Sequence, residues 1–303
     1  MEYKISGHET FPCRYSWLPK AIQETKKTPN LFKDEDQAMI KFGVGKNMVR
    51  AIRFWSESFG ILDIQKGSGA YTVSPFGEAI FGKKGCDPFL QDIRTLWLLH
   101  WKLSLNNDKP LLAWAFLLNN WHEPEWTKTR ILAVIQQEFE RGPTKVSPTT
   151  IEHHLDVFIH TYTSTKNRNG EFQEDNLDCP FVDLNFIERI GDRTEPSSTR
   201  REPIYAFNRN AKTEITQELF EYCLHDFFTR VHPNERALSF TEICVGAYSP
   251  GQVFKLSESD VREYLQNFSK KSRLFVFKES AALQQVIFDK SFNGANLLGR
   301  VYD

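Results

Sequence analysis

Hydrophobic and polar positions change rhythm several times along this 303-residue chain. The sharpest changes fall within residues 36–82, DQAMIKFGVGKNMVRAIRFWSESFGILDIQKGSGAYTVSPFGEAIFG. A short helical stretch closes at the tight turn Gly43-Val44-Gly45. Apolar residues then recur at Met48, Val49, Ile52, Trp55 and Phe59, which predicts a helix over 46–58. Two strand-like pieces, 61–65 and 70–73, are joined by Gly67-Ser68-Gly69. Helix, turn, helix and two-strand wing in that order predict a winged helix-turn-helix, which docks its second helix in a groove of duplex nucleic acid.

The pattern turns more helical after residue 86. DPFLQDIRTLWLLHWKLSLNN, from Asp87, spaces Leu90, Ile93, Leu96, Trp97 and Trp101 as one helix face. PLLAWAFLLNNW and TRILAVIQQEFERG continue the helical region, and Ser147-Pro148 opens another helix as N-cap and first residue. Residues 163–176 read as a polar surface loop, 181–190 and 204–207 as strands, and 191–202 as an exposed tip. Helix returns at 216–228. The tail predicts helices at 239–247 and 257–267 and strands at 273–279 and 284–289, with Ser249-Pro250-Gly251 turning between the helices. It repeats the opening layout as a second winged unit.

Three segments overlay: GKNMVRAIRFW from Gly45, SPTTIEHHLDVF from Ser147 and SESDVREYLQNF from Ser257. Each opens on a residue able to cap a helix. Each then carries a β-branched apolar residue (Val49, Ile151, Val261) and a later apolar one (Ile52, Leu155, Leu265). The predicted class is α+β, mainly α with small β-wings. Residues 1–86 form the winged unit with an N-terminal arm, 87–170 a helical domain, and 171–303 a mixed region ending in the second winged unit.

At about 100° per residue, Lys46, Arg50 and Arg53 fall within about 60° of one another, away from the apolar arc. One face of that helix can pack while the other offers cations to a duplex. Asn47 beside the stripe suits adenine, and the amides at Gly45-Lys46 suit a phosphate. Lys66 and Ser68 place the wing against the nucleic-acid backbone. This grip requires that the three cations be neither buried nor salt-bridged inside the molecule. In the second winged unit the matching helix carries Glu258, Asp260 and Glu263 against Arg262, which points to protein and not to DNA.

Net charge is −1 overall, so bulk charge names no partner. Its distribution is more useful: Lys and Arg outnumber Asp and Glu by 13 to 9 in residues 1–86 and are outnumbered 25 to 30 thereafter. Five scattered cysteines without a CxxC fit a reduced, cytoplasmic protein, and no apolar run approaches a membrane span.

Other constellations are weaker. His8, Glu9 and Cys13 lack HExxH or a second ligand at metal spacing, and Phe11, Tyr15 and Trp17 around them read as a packed arm. His153, His154 and His160 do not pair at metal-ligand spacing, and His100 reads as an aromatic-packed core or boundary histidine. GVGKN fails the P-loop pattern. Asp178, Asp183 and Glu188 lack the E-x-K of a nuclease. No metal, cofactor or catalytic residue is expected.

GHETF…RYSWLPK from Gly7, FGVGKNMVRAIRFW from Phe42, DPFLQDIRTLWLLHW from Asp87 and SPGQVFKL from Ser249 resemble an uncharacterised bacterial family, domain of unknown function 4007. Cys86 and Cys179 depart from its pattern. The resemblance implies a place in bacterial defence clusters, beside sulfur-transferring enzymes of DNA phosphorothioate modification, helicases or nucleases; it supplies no catalytic residues. The leading expectation is a non-enzymatic double-stranded-DNA-binding subunit of a DNA-modification, restriction or anti-phage system, docking partner enzymes through its remainder. The alternatives are a protein adaptor without DNA contact, an autoregulatory transcription factor, and an enzyme using His8, Glu9 and Cys13.

Overall fold

The computed structural model describes residues 3–105, 109–142, 145–164, 179–194, 201–271, 274–290 and 296–303. Its N-terminal portion begins with α1 (Trp17–Lys27) and α2 (Glu35–Phe42). The Asp34 carboxylate starts α2 by accepting the Gln37 N–H at 3.0 Å, and Gly43 stops it at φ 67°, a left-handed conformation that glycine adopts without steric cost. Lys20 of α1 donates to the Phe42 carbonyl at 2.7 Å, tying α1 to the end of α2. Helix α3 (Lys46–Ser58) follows, then β1 (Leu62–Ile64) and β2 (Tyr71–Val73), paired antiparallel with Asp63 opposite Thr72. The helix, turn, helix and two-strand order thus forms where the pattern placed it.

The pattern missed the next helix, α4 (Pro75–Phe81). Ser74 accepts the Gly77 N–H at 2.9 Å and Pro75 occupies the first turn. This is the same Ser-Pro signature that opens the helix Pro148–Tyr162, which begins as expected at the Ser147 cap.

In the middle, helices Ile93–Ser104, Leu112–Ala115 and Lys128–Arg141 match the helical spacing. Leu112–Ala115 runs on into a π-helical turn, Phe116–Asn120, which leaves carbonyls without their usual partners. The expected strand over 181–190 begins late. Residues Pro180–Leu184 wind into a 3₁₀ turn, because Pro180 presets the first φ and Asn185 ends the turn at φ 46°. Strand Ile187–Thr194 then pairs with Arg201–Phe207, and Glu125–Trp126 adds a short edge to that sheet. The bulk of the 163–176 loop and Asp178 lie outside the described residues, as do 195–200 of the expected 191–202 tip; its remaining residues, 191–194 and 201–202, are paired strand and not loop.

Helix Gln217–Arg230 precedes the tail. The tail's helices are Phe240–Val245, Pro250–Phe254 and Glu258–Lys271, and its strands Phe275–Glu279 and Gln284–Phe288 pair antiparallel. Two features go beyond expectation. Strand Ala237–Ser239 joins as a third member, and Ser249-Pro250 starts a short helix where only a turn was expected. Residue 273, the expected start of the first tail strand, is outside the described residues.

The three overlaid segments are all helical, and Val49, Ile52, Ile151, Leu155, Val261 and Leu265 are all buried. One cluster of buried side chains runs from Cys13 to Val301 and crosses all three sequence regions. Phe59 stacks on Phe181 at 5.3 Å, and Thr95 bonds Tyr302 at 2.7 Å. At its centre Trp114 donates to Tyr162 at 2.8 Å. Since the Val253 carbonyl can only accept from His100 Nε2 (2.9 Å), Tyr162 donates to His100 Nδ1 (2.6 Å). His100 is the aromatic-packed core histidine the sequence implied.

Candidate nucleic-acid interface

From Val49 onward one side of α3 is built into the core, and only its first turn stands clear of it. Ala51, Ile52, Phe54, Trp55, Ser56 and Ser58 are buried, whereas Lys46 and Asn47 are exposed and Arg50 and Arg53 half-buried. The apolar arc accounts for one side. The chain's own N-terminal arm accounts for the other. Lys4 sits over the Phe54 ring at 4.3 Å, His8 packs edge-on to it at 5.5 Å, and Gly7 (φ 108°) lies so close that a Cβ there would meet the ring at 2.8 Å. The face left to solvent is therefore the start of the helix, where Gly45 supplies no side-chain cap to its first amides.

Two of the three cations are not free. Glu35, the first residue of α2, receives Lys46 Nζ at 2.7 Å on one oxygen and Arg50 Nε at 2.7 Å on the other. Arg50 Nη2 adds a second, longer bond at 3.4 Å. Arg50 first, then Lys46, holds the Glu35 carboxyl down at about 2, and Glu35 in turn raises the Arg50 guanidinium. Glu9 of the arm adds to the negative field at Arg50. Arg53 has no ion pair among the described residues. The condition that all three cations stand free of internal partners is thus corrected: it fails at Lys46 and Arg50, because the turn between α2 and α3 brings the acidic start of α2 against the stripe. The pairs are at the surface, however, with Lys46 53% and Arg50 36% exposed.

The ribbon lies beside this face, across a broad groove of about 850 Å³ lined by Lys33, Asp34, Glu35, Asp36, Lys46, Arg53 and Ile64 among others. Lys66 is exposed at the ribbon's tip. Ser68 is committed inward: its hydroxyl donates to Gln65 at 3.2 Å and accepts the Ala70 N–H at 3.2 Å, and its carbonyl takes Lys33 Nζ. Lys46 and Arg53 therefore line one groove and Lys66 stands exposed on the ribbon beyond it, while Ser68 shapes the tip without offering its hydroxyl.

Sequence reasoning missed Glu35 and Glu9. The run Asp34-Glu35-Asp36 two turns ahead of Lys46 was the available signal, since a helix–turn–helix always returns the second helix towards the first. It also missed the pairing of His8 with His154. Thr10 N–H donates to His8 Nδ1 at 3.1 Å, so His8 Nε2–H donates to His154 Nδ1 at 2.9 Å, and His154 Nε2–H is left buried without a partner. Burial pulls His8 down to about 4 and His154 well below its ordinary value. The pair clamps the arm to the helical middle. Cys13 is fully buried with its thiol pushed up by burial, so His8, Glu9 and Cys13 do not share an accessible site. Among the described residues, no three or more His, Cys, Asp or Glu side chains gather as a metal site.

Comparison with known proteins places this geometry in context. The family model described as "Protein of unknown function (DUF4007)" matches residues 5–302. No curated protein matches the chain. A solved structure described as "SspB crystal structure" superposes with a TM-score of 0.83 at 24% identity, covering 98% of this chain and 87% of that one. Another, "Magnesium ion-bound SspB crystal structure", gives 0.80 at 24% identity over 93% and 82%. At that identity the likeness is one of fold.

Proposed function

This chain belongs to the DUF4007 family, and we propose that it is a non-enzymatic duplex-DNA-binding subunit of a bacterial DNA-modification or anti-phage defence system, working in the cytoplasm. The observation that carries the reading is the solvent side of α3, where Lys46 and Asn47 stand at uncapped helix amides and Arg50 and Arg53 follow one and two turns on, beside a two-strand ribbon. In this reading the first unit is a winged helix-turn-helix. Arg50 and Arg53 meet phosphates, Asn47 reads a base edge, and Lys66 on the ribbon touches the backbone. The middle and tail dock partner enzymes of the system, a sulfur-transfer enzyme of phosphorothioation, a helicase or a nuclease.

Glu35 sits where an anion would sit. Exposed ion pairs contribute little to stability, and phosphate contact gains from counterion release. A duplex phosphate can therefore take the place of Glu35 between Lys46 and Arg50 at small cost. The test is fluorescence anisotropy of a labelled duplex against the purified chain over a salt series. Four phosphate contacts, from Lys46, Arg50, Arg53 and Lys66, give a slope of log K against log salt of about −4. Salt-insensitive binding, or none, sinks the reading.

The same glutamate favours a second reading. With Asp34 and Asp36 beside it, Glu35 leaves the groove of mixed charge, which suits a protein surface with both signs. An adaptor of this kind shows no duplex binding at low salt and retains its protein partners.

A further inference from the structure

The π-helical turn Phe116–Asn120 and the short helix Pro250–Phe254 meet, and Lys255 lies over the Phe207 ring of strand Arg201–Phe207 at 4.7 Å. Backbone irregularity concentrates at this junction: Tyr248 and Lys255 both lie in the left-handed region, at φ 64° and 52°, and the Asn119 side chain holds the Tyr248 amide at 2.7 Å. Lys255 is 2% exposed. Its ammonium donates to the Leu118 carbonyl at 2.8 Å and to Gln252 Oε1 at 3.3 Å, and no carboxylate pairs with it among the described residues. A buried ammonium without an anion is costly.

A cavity of about 340 Å³ opens beside it, lined by Trp121, His122, Arg209, Cys244, Val245, Gly251, Gln252 and Leu256. The lining holds hydrogen-bond donors and no carboxylate. Trp121 is 7% exposed, and its indole N–H is buried without a partner. Gln252 turns its oxygen to Lys255, which leaves its amide N–H groups as the free end. Arg209 is exposed, has no ion pair among the described residues, and lies near enough to Lys255 to depress its charge. Glu258 acts on Cys244 from outside the lining and is opposed there by Arg262. Gly251 admits no larger residue, since a Cβ would meet the Cys244 carbonyl at 2.2 Å.

We propose that this cavity is an anion site for a phosphate monoester, held by Arg209 and the Gln252 amide, with the Trp121 indole in its wall and the buried Lys255 behind it. Its volume is at the lower end of small-molecule sites, roughly 300–1,000 Å³, which leaves room for an organic body beyond the phosphate. The monoester is either a free mononucleotide or the terminal phosphate of a strand.

Isothermal titration of the full chain with AMP, with inorganic phosphate, and with short oligonucleotides carrying either a 5′-phosphate or a 5′-hydroxyl tests this. AMP binds one per chain, and Arg209→Gln lowers its affinity about tenfold, the scale for losing a charged hydrogen-bonding partner. A phosphorylated oligonucleotide that outbinds AMP, and loses that advantage with a 5′-hydroxyl or in Arg209→Gln, identifies a strand end as the source. The proposal is overturned if neither AMP, phosphate nor the phosphorylated strand binds saturably up to about 10 mM, an affinity weaker than about −3 kcal/mol. It is equally overturned if binding survives Arg209→Gln unchanged. Arg209 is exposed and has no ion pair among the described residues, so its replacement leaves folding intact, and it is not one of the α3 cations, so loss here does not mimic failure of the duplex interface.

Discussion

Helix α3 and the helix Glu258–Lys271 are built alike and show solvent opposite charges. Each buries a β-branched residue one turn in and an aliphatic one a turn later, Val49 and Ile52 against Val261 and Leu265. Each is followed by an antiparallel strand pair. Yet α3 begins with Lys46, Arg50 and Arg53, whereas the later helix begins with Glu258 and Asp260 and adds Glu263. Even the neutralising contacts mirror one another: Glu35 takes two cations of α3, and Glu279 takes Arg262 of the later helix. The buried face sets that a helix forms there; the exposed face, which folding leaves free, sets what it meets. Start chemistry differs too. Ser257 and Asp260 cap each other reciprocally, at 3.1 and 3.2 Å, while Gly45 leaves the amides of α3 open.

The heaviest blow to this contrast is the triple change Lys46→Ala, Arg50→Ala and Arg53→Ala. It lowers duplex affinity by roughly 30- to 100-fold at low salt and flattens the salt slope by about 3. Anisotropy titration reads both, and circular dichroism confirms that α3 still folds.

The attachment of the first unit is open to acid. His8 and His100 are both buried with folded values near 4, against an ordinary 6.5. The unfolded chain therefore binds more protons below about pH 6.5, and stability falls as pH drops from there towards 4. At pH 5 the loss is about 2 kcal/mol per histidine. Melting temperature from pH 7.5 to 5 shows the drop, and a flat profile contradicts neutral histidines. Hydrogen exchange at pH 5 sharpens the comparison: α3, reached through the His8–His154 pair, loses protection before Glu258–Lys271.

Glu35→Gln works in the opposite sense. Freed from the carboxylate, Lys46 and Arg50 bind duplex on the order of threefold to tenfold more tightly at low salt, with the gain shrinking as salt rises. A loss of affinity would show that Glu35 organises the cations for the duplex and does not compete with it. The smallest effect is expected from Glu258→Ala, Asp260→Ala and Glu263→Ala together. Duplex affinity moves by less than about twofold if that helix faces protein, since its charges then lie beyond screening range of the DNA. A tenfold gain would place the second helix beside the duplex as well.

Local rules carried the secondary structure of both units a long way. Gly43, the Asp34 and Ser147 caps and the apolar phasing act within a few residues, so their consequences are written next to them. The same rules faltered where a neighbour in sequence changed the backbone: Pro180 turned an apparent strand into a 3₁₀ turn, and Ser74-Pro75 started a helix that weak periodicity hid. Of the candidate site, Lys46, Asn47, Arg50 and Arg53 could be gathered on one face from helical geometry alone. Ser68 was placed correctly at the ribbon tip, but its hydroxyl is occupied there by Gln65 and Ala70.

What the chain's order of residues determined by itself was the position of its helices, the cationic start of α3 and the acidic start of its counterpart, because each depends on periodicity and capping over one or two turns. Only the tertiary structure decided that Glu35 closes on two of those cations, that residues 4–8 cover the flank of Phe54, that His8 meets His154, and that Lys255 is buried beside an acid-free cavity. Those contacts join residues 11 to 146 positions apart, or depend on which side of a packed helix faces inward. Ion pairing and desolvation act through space, so they follow the packing and not the spacing along the chain.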